Sequence, residues 1–166
     1  LETLIHTVPW YQQPVHMYGR DLLTPRLTAW FGDTGNSYRP AGSKPETLPW
    51  TPELAALRIQ VEAWTQLSFN SVLLNYYRDG NDSVAWHSDN EKELGERPSI
   101  ASLSIGQPRQ FEFRHKQDHR RKYSLKLGNG SLLIMKGSLQ HHWEHRIPKS
   151  SQPMKPRINM TFRIIH

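Results

Sequence analysis

Apolar positions follow two different periods along this chain, and the change comes after residue 66. Thr51-Pro52-Glu53 supplies an N-cap hydroxyl, a proline at the first helical position and an acid in the first turn. Leu54, Leu57, Val61 and Trp64 then recur at helical spacing, which predicts one long helix over about 52–66. Beyond it the period is two. Val72, Leu74 and Tyr76 alternate with Leu73, Asn75 and Tyr77 up to a turn at Asp79-Gly80. Ile100 to Ile105 is a second strand run, and Phe111 and Phe113, flanking Glu112, mark a third. Tyr123, Leu125 and Leu127 alternate with polar residues before the turn Gly128-Asn129-Gly130. Leu132 to Met135 is short and apolar, and Arg157 to Ile165 alternates over its length. Upstream, residues 1–30 read as a short helical start followed by a turn at Tyr18-Gly19. Residues 32–49, rich in Gly, Pro, Ser and Thr, read as a long loop. A helical N-terminal part followed by many short strands predicts an α+β fold around a sandwich or jelly roll.

Length and charge narrow this picture. The 166 residues fit one domain, 1–166, and a domain near that size buries roughly 70% of its unfolded surface. No stretch approaches the roughly 18 apolar residues of a membrane span, so no membrane partner is expected. The chain starts at Leu1 rather than Met, which reads as a trimmed fragment. It has no cysteine, which excludes disulfide frameworks and thiolate metal sites and fits a reducing, intracellular compartment. A net charge of +6 favours an anionic partner, nucleic acid foremost.

The chemistry concentrates in two places. His87-Ser88-Asp89 sets an imidazole and a carboxylate two positions apart, and on an extended backbone such residues point the same way. One metal ion can take both. A third ligand must come from elsewhere: His145 is the candidate, with His141 and His142 as alternatives. Two His and one carboxylate on one face of a metal leave three positions open, as in non-haem iron(II) oxygenases. A solvated His on a surface turn also accounts for the His-x-Asp pair alone. Zinc hydrolysis would want a His-Glu-x-x-His helix, which is absent. In the last strand run, Arg157, Asn159, Thr161 and Arg163 share one face, and Ile158, Met160, Phe162 and Ile164 the other. A half-exposed strand with a solvated polar face would look the same. Two arginines separated by hydrogen-bonding residues are also what a dicarboxylate needs, because the guanidinium fork stays charged when desolvated. Asn75 and Tyr77 could add further donors to such a pocket.

Four runs taken together resemble the AlkB family of iron(II)- and 2-oxoglutarate-dependent dioxygenases. They are Asn75-Tyr76-Tyr77-Arg78-Asp79-Gly80, His87-Ser88-Asp89-Asn90-Glu91, Ile100-Ala101-Ser102-Leu103-Ser104-Ile105-Gly106, and Pro156-Arg157-Ile158-Asn159-Met160-Thr161-Phe162-Arg163. Order and spacing match over about residues 10–165, nearest to the eukaryotic-type DNA repair homologues. The resemblance implies a double-stranded β-helix (jelly-roll) core with supporting N-terminal helices, and a nucleotide-recognition lid around 15–45. It implies Fe(II) held by His87, Asp89 and His145, with 2-oxoglutarate and O2 as co-substrates. Arg157 would take the distal carboxylate of 2-oxoglutarate and Arg163 would stand near its metal-bound end. Asn75, Tyr77, Asn159 and Thr161 would complete that pocket. Glu91 would read the exocyclic amine of a flipped base, with Asn90, often Asp in relatives, beside it.

The same resemblance places a finger loop at Tyr18, Gly19 and Arg20, with Tyr18 as the intercalating ring, and lesion-covering residues at Tyr38 and Arg39. The basic run Arg114-His115-Lys116 with Arg120, Arg121 and Lys122 suits phosphates. The implied function is oxidative dealkylation of bases such as 1-methyladenine and 3-methylcytosine in DNA, double-stranded favoured and single-stranded admitted, by a monomer. Its compartment would be a bacterial cytoplasm or a eukaryotic nucleus. Rival readings are an RNA demethylase of the same fold, a 2-oxoglutarate oxygenase acting on protein or a small molecule, and an inactive nucleic-acid-binding module.

Overall fold

A six-residue helix, α1 (Glu2–Thr7), opens the chain. In this computed structural model residues 1–33 and 47–166 are described. A hairpin of β1 (Pro14–Met17) and β2 (Arg20–Leu23) follows, then β3 (Leu27–Gly32) and the two-residue β4 (Leu48–Pro49). The long helix α2 (Pro52–Thr65) begins as its sequence requires: the Thr51 hydroxyl accepts the Leu54 N–H at 3.2 Å, with Pro52 at the first position. It ends where Gln66 turns left-handed, φ 59°. Of its apolar positions Leu54 and Val61 are buried and Leu57 packs against the same core. Trp64 is 59% exposed, because helical rotation carries it roughly 80° away from Leu54.

The remaining strands are β5 (Ser71–Tyr77), β6 (Val84–His87), β7 (Ile100–Gly106), β8 (Arg109–His115), β9 (Lys122–Leu127), β10 (Leu132–Met135), β11 (Trp143–Ile147) and β12 (Arg157–Arg163). A 3-10 turn, Lys92–Leu94, follows β6, and a four-residue helix, α3 (Leu139–His142), precedes β11. They form a six-stranded sheet in the order β10-β7-β12-β5-β3-β4 and a four-stranded sheet in the order β6-β11-β8-β9. All pairings are antiparallel except β3 with β4. The sheets face each other across Tyr77, Ile100 and Met135 on one side and Phe111, Leu127 and Ile147 on the other. This is the expected jelly roll. α2 covers the outer face of the larger sheet, where Leu54 and Val61 meet Val72, Leu74, Leu103, Ile158, Met160 and Phe162.

Position in this layout decides the fate of β12. It is paired on both sides, by β5 and β7, and covered on both faces, so all seven of its residues are buried. The half-exposed alternative for that strand does not hold. Gly106 closes β7 with φ 94°, where a side chain would strike the Pro156 carbonyl, so this turn next to Arg157 needs glycine.

The N-terminal third differs most from the sequence reading. Residues 1–30 hold the expected short helix, α1, and the Tyr18-Gly19 turn, but also β1, β2 and β3, which lies between β5 and β4. Its Ala29, Trp30 and Phe31 are all buried, so β3 shows a continuous apolar run instead of alternation.

Candidate active site

β6 delivers His87 at its last residue, and the chain leaves the strand to place Asp89 beside it. β11 sets His145 directly opposite His87 in register. Their ligand atoms lie within 4.8 Å of one another, with Asp89 oxygens 3.9 Å from His87 Nε2 and 3.6 Å from His145 Nε2. The two rings stand 4.2 Å apart. His141 and His142, the alternatives for the third ligand, sit exposed on α3. The His87 Nδ1–H donates to the Ala85 carbonyl at 2.8 Å, which leaves Nε2 with its lone pair facing the cluster. Ser88 Oγ donates to the Trp143 carbonyl at 2.8 Å, tying the turn to β11. The buried Gln140 Oε1 accepts the Asp89 backbone N–H at 2.9 Å.

Electrostatics keep the cluster ready for a cation. Burial alone would raise the Asp89 carboxyl, but the charge of Arg163, whose Nη2 stands 3.2 Å away, with His87 and His145, holds it below the ordinary carboxylate range. Burial, reinforced by His87, pushes His145 down to about 4 against the pull of Asp89, so its ring is neutral at physiological pH. Two imidazoles and a carboxylate, with no thiol in the chain, suit iron(II).

Beside the cluster lies the polar face of β12. Arg157 Nη2 donates to Ser104 Oγ at 2.8 Å, and Asn159 Nδ2 to Ser102 Oγ at 2.6 Å. Thr161 Oγ1 donates to Asn159 Oδ1 at 2.9 Å. Register sets Tyr77 across from Arg157 and Asn75 across from Asn159. Arg157 is 1% exposed, yet its Nε and Nη1 have no hydrogen-bond partner among the described residues, nor do Arg163 Nε and Asn75 Oδ1. Burial lowers the Arg157 guanidinium from its ordinary value, with Tyr77 opposing. A buried guanidinium with two idle donors calls for an acceptor anion. A dicarboxylate such as 2-oxoglutarate fits that demand at one end and the metal cluster at the other.

These residues line one cavity of about 370 Å³ that includes Asn75, Tyr77, His87, Asp89, Glu91, His145, Arg157, Asn159, Thr161 and Arg163. Glu91 contributes a buried Oε2 without a partner among the described residues. Asn90 is exposed and outside the lining. Tyr18 and Gly19 form the tip of the β1–β2 hairpin, with φ 52° and 72°, and Tyr18 is 93% exposed. Positive φ at both central residues suits the right-handed twist of a two-residue hairpin. Arg20 is exposed at its base. Tyr38 and Arg39 lie outside the described residues.

Most of the basic run is already occupied. Arg114 pairs with Glu144 at 2.6 Å, Lys122 with Glu112 at 3.1 Å and Arg120 with Asp118 at 3.0 Å. Lys116 Nζ donates to the Gln140 carbonyl at 2.8 Å. Arg121 makes no ion pair among the described residues and lies over the Trp143 ring at 5.3 Å.

Sequence reasoning missed Arg26, Thr28 and Trp30 on the β3 side of the cavity, and Ser102 on β7. It also missed Gln140. Ser102 and Ser104 did leave a signal: they alternate with Ala101, Leu103 and Ile105 in a strand expected to be buried.

Residues 1–163 match the family model described as the 2OG-Fe(II) oxygenase superfamily. The alpha-ketoglutarate-dependent dioxygenase alkB homolog 3 of Mus musculus is 42% identical over all of this chain and 60% of its own length. The DNA oxidative demethylase ALKBH2 of Bos taurus is 40% identical over 91% of this chain and 57% of its own length. The chain thus spans about three-fifths of these curated relatives. The solved structure of OsALKBH1 superimposes on 93% of this chain and 83% of that one, with TM-score 0.63 and 18% identity, a likeness of fold.

Proposed function

The chain belongs to the 2OG-Fe(II) oxygenase superfamily and its AlkB branch, and from that premise we propose that it oxidatively removes alkyl groups from nucleic-acid bases. Support rests above all on one observation: the idle nitrogens of buried Arg157 share a cavity with His87, Asp89 and His145. His87, Asp89 and His145 would hold iron(II), and Arg157 the far carboxylate of 2-oxoglutarate, with Asn75, Tyr77, Asn159 and Thr161 around it. When bound, iron(II) with 2-oxoglutarate supplies the dioxygen-derived oxidation that hydroxylates the alkyl carbon and leaves succinate and carbon dioxide. The hydroxyalkyl group then leaves the base nitrogen as an aldehyde.

The chain's own residues orient and select. Arg163 stabilises the Asp89 carboxylate, and His87 keeps Nε2 free through its bond to Ala85. The unpartnered Glu91 oxygen can accept an N–H from an exocyclic amine, which adenine and cytosine present. In this reading 1-methyladenine and 3-methylcytosine are the substrates, in an intracellular setting, and the chain acts as a monomer. A base inside a duplex must be flipped out to reach the cavity. Tyr18, on its exposed hairpin tip, is placed to fill the vacated stack, which favours double-stranded DNA.

The test is turnover of oligonucleotides bearing each lesion as single-stranded DNA, duplex DNA and RNA, with aldehyde and succinate quantified together. Equimolar aldehyde and succinate support the reading. Succinate formation unaffected by any methylated oligonucleotide would move the substrate to another class.

A further inference from the structure

The inner face of the smaller sheet is longer than the core it covers. Phe111, Leu127 and Ile147 are buried against the larger sheet. Further along the same face come Phe113 and Trp143, half-buried, and then Tyr123, which is 53% exposed on the edge strand β9. The Tyr123 ring rests on Phe113 with centroids 5.5 Å apart and planes 27° from parallel. Trp143 meets Phe113 at 5.7 Å and Tyr123 at 5.9 Å. Packing explains Phe113 and Trp143. It leaves about half of Tyr123 to solvent.

This platform adjoins the candidate active site. Phe113 is paired with His145 in register, and Trp143 is two residues from His145 on the same face. Tyr123 stands two strands across from His145, about 10 Å, the reach of roughly two to three stacked nucleotides. Arg121 lies at its border, without an ion pair among the described residues. The neighbouring Asp118 is engaged by Arg120, and Glu112 and Glu144 pair with cations on the opposite face of the sheet.

We propose that Tyr123, on its Phe113–Trp143 base, stacks an unpaired nucleotide flanking the target base, with Arg121 meeting the adjoining phosphate. This rests on the nucleic-acid reading above. The platform offers one exposed ring, Tyr123, with Leu125 beside it on the same face of β9, whereas a protein partner at a standard interface covers about 800 Å² per side. Base–aromatic stacking is sequence-tolerant, and a basic border suits a strand of alternating rings and phosphates.

The experiment uses the full chain with Mn(II) and 2-oxoglutarate, and fluorescence anisotropy of a labelled single-stranded 12-mer carrying one central 3-methylcytosine. Tyr123→Ala should weaken binding about tenfold, and Tyr123→Phe should bind as the wild type does. The slope of log Kd against log salt should stay unchanged in Tyr123→Ala and drop by about one in Arg121→Gln. Equal Kd values for wild type and Tyr123→Ala would overturn the platform alone, as would a loss in Tyr123→Phe matching that in Tyr123→Ala. A Tyr123→Ala chain that changes oligomeric state while keeping its oligonucleotide affinity would overturn it in favour of a protein neighbour. A wild-type chain that holds no oligonucleotide would remove the nucleic-acid reading and the platform together.

Discussion

Two strand faces of this protein carry arginines among alternating polar residues, and they end in opposite states. On the outer face of the smaller sheet, Arg114 and Arg146 pair with Glu144 and Glu112 at 2.6 and 2.7 Å and lie over the Trp86 ring at 4.0 and 4.6 Å. Their charge is answered within the chain. On the inner face of β12, Arg157 is buried with two idle nitrogens and Arg163 with one. Residue type is alike in the two places. What marks a ligand site is an unmet hydrogen-bonding demand in a place water leaves, because such a demand costs stability until something meets it.

The comparison breaks most sharply at Arg157. Arg157→Met should raise the KM for 2-oxoglutarate about 100-fold, the loss of a charge-assisted pair worth about 3 kcal/mol. The same change should leave the ligand-free protein as stable as before or more so, since a buried charge gives way to a packed side chain. Succinate assays and thermal melts read the two arms. A destabilised protein with unchanged KM would make Arg157 structural, like Arg114.

A pH titration of the metal-free chain separates the faces in another way. His145 is held at about 4 in the folded state against 6.5 when free. The unfolded chain therefore takes up a proton that the folded one refuses between those values. Stability from this ring is intact above pH 6.5 and is lost as pH falls towards 4, by about 3 kcal/mol. Urea midpoints at successive pH values should show that fall, and His145→Asn should flatten it. An equal fall in the variant would assign the effect elsewhere.

A smaller effect is expected behind the cluster. Gln140→Leu strands the Asp89 backbone N–H and should weaken Mn(II) binding about tenfold. Calorimetry measures this; a lower melting temperature with unaltered metal affinity would leave Gln140 a packing residue only. Least of all, Arg114→Gln should cost below about 1 kcal/mol in denaturant and leave the KM for 2-oxoglutarate where it was.

Legibility in the sequence followed the same division. Period and capping announced α2, and alternation announced β5, β7 and β12. The metal cluster was readable in part: His87 and Asp89 share local spacing, while His145 needed the register of β11 with β6, which sequence spacing alone left open among three histidines. β3 was hidden because both of its sides are covered, which erases alternation. Gln140 was hidden because its role lies in a contact with Asp89 51 positions away, which no local pattern encodes. The basic run was legible as charge, yet its neutralisation by Glu112 and Glu144 depends on strand pairing, and only the Asp118–Arg120 contact is local.

The unmet demand at Arg157 reaches beyond catalysis. A co-substrate that binds only the native chain adds about 2.7 kcal/mol to folding at 100 times its Kd. For a protein of ordinary marginal stability that increment moves the folded fraction, and with it exposure to proteolysis. The standing amount of this protein in a cell would then follow the supply of 2-oxoglutarate, with a starved cell keeping less of it than a well-fed one.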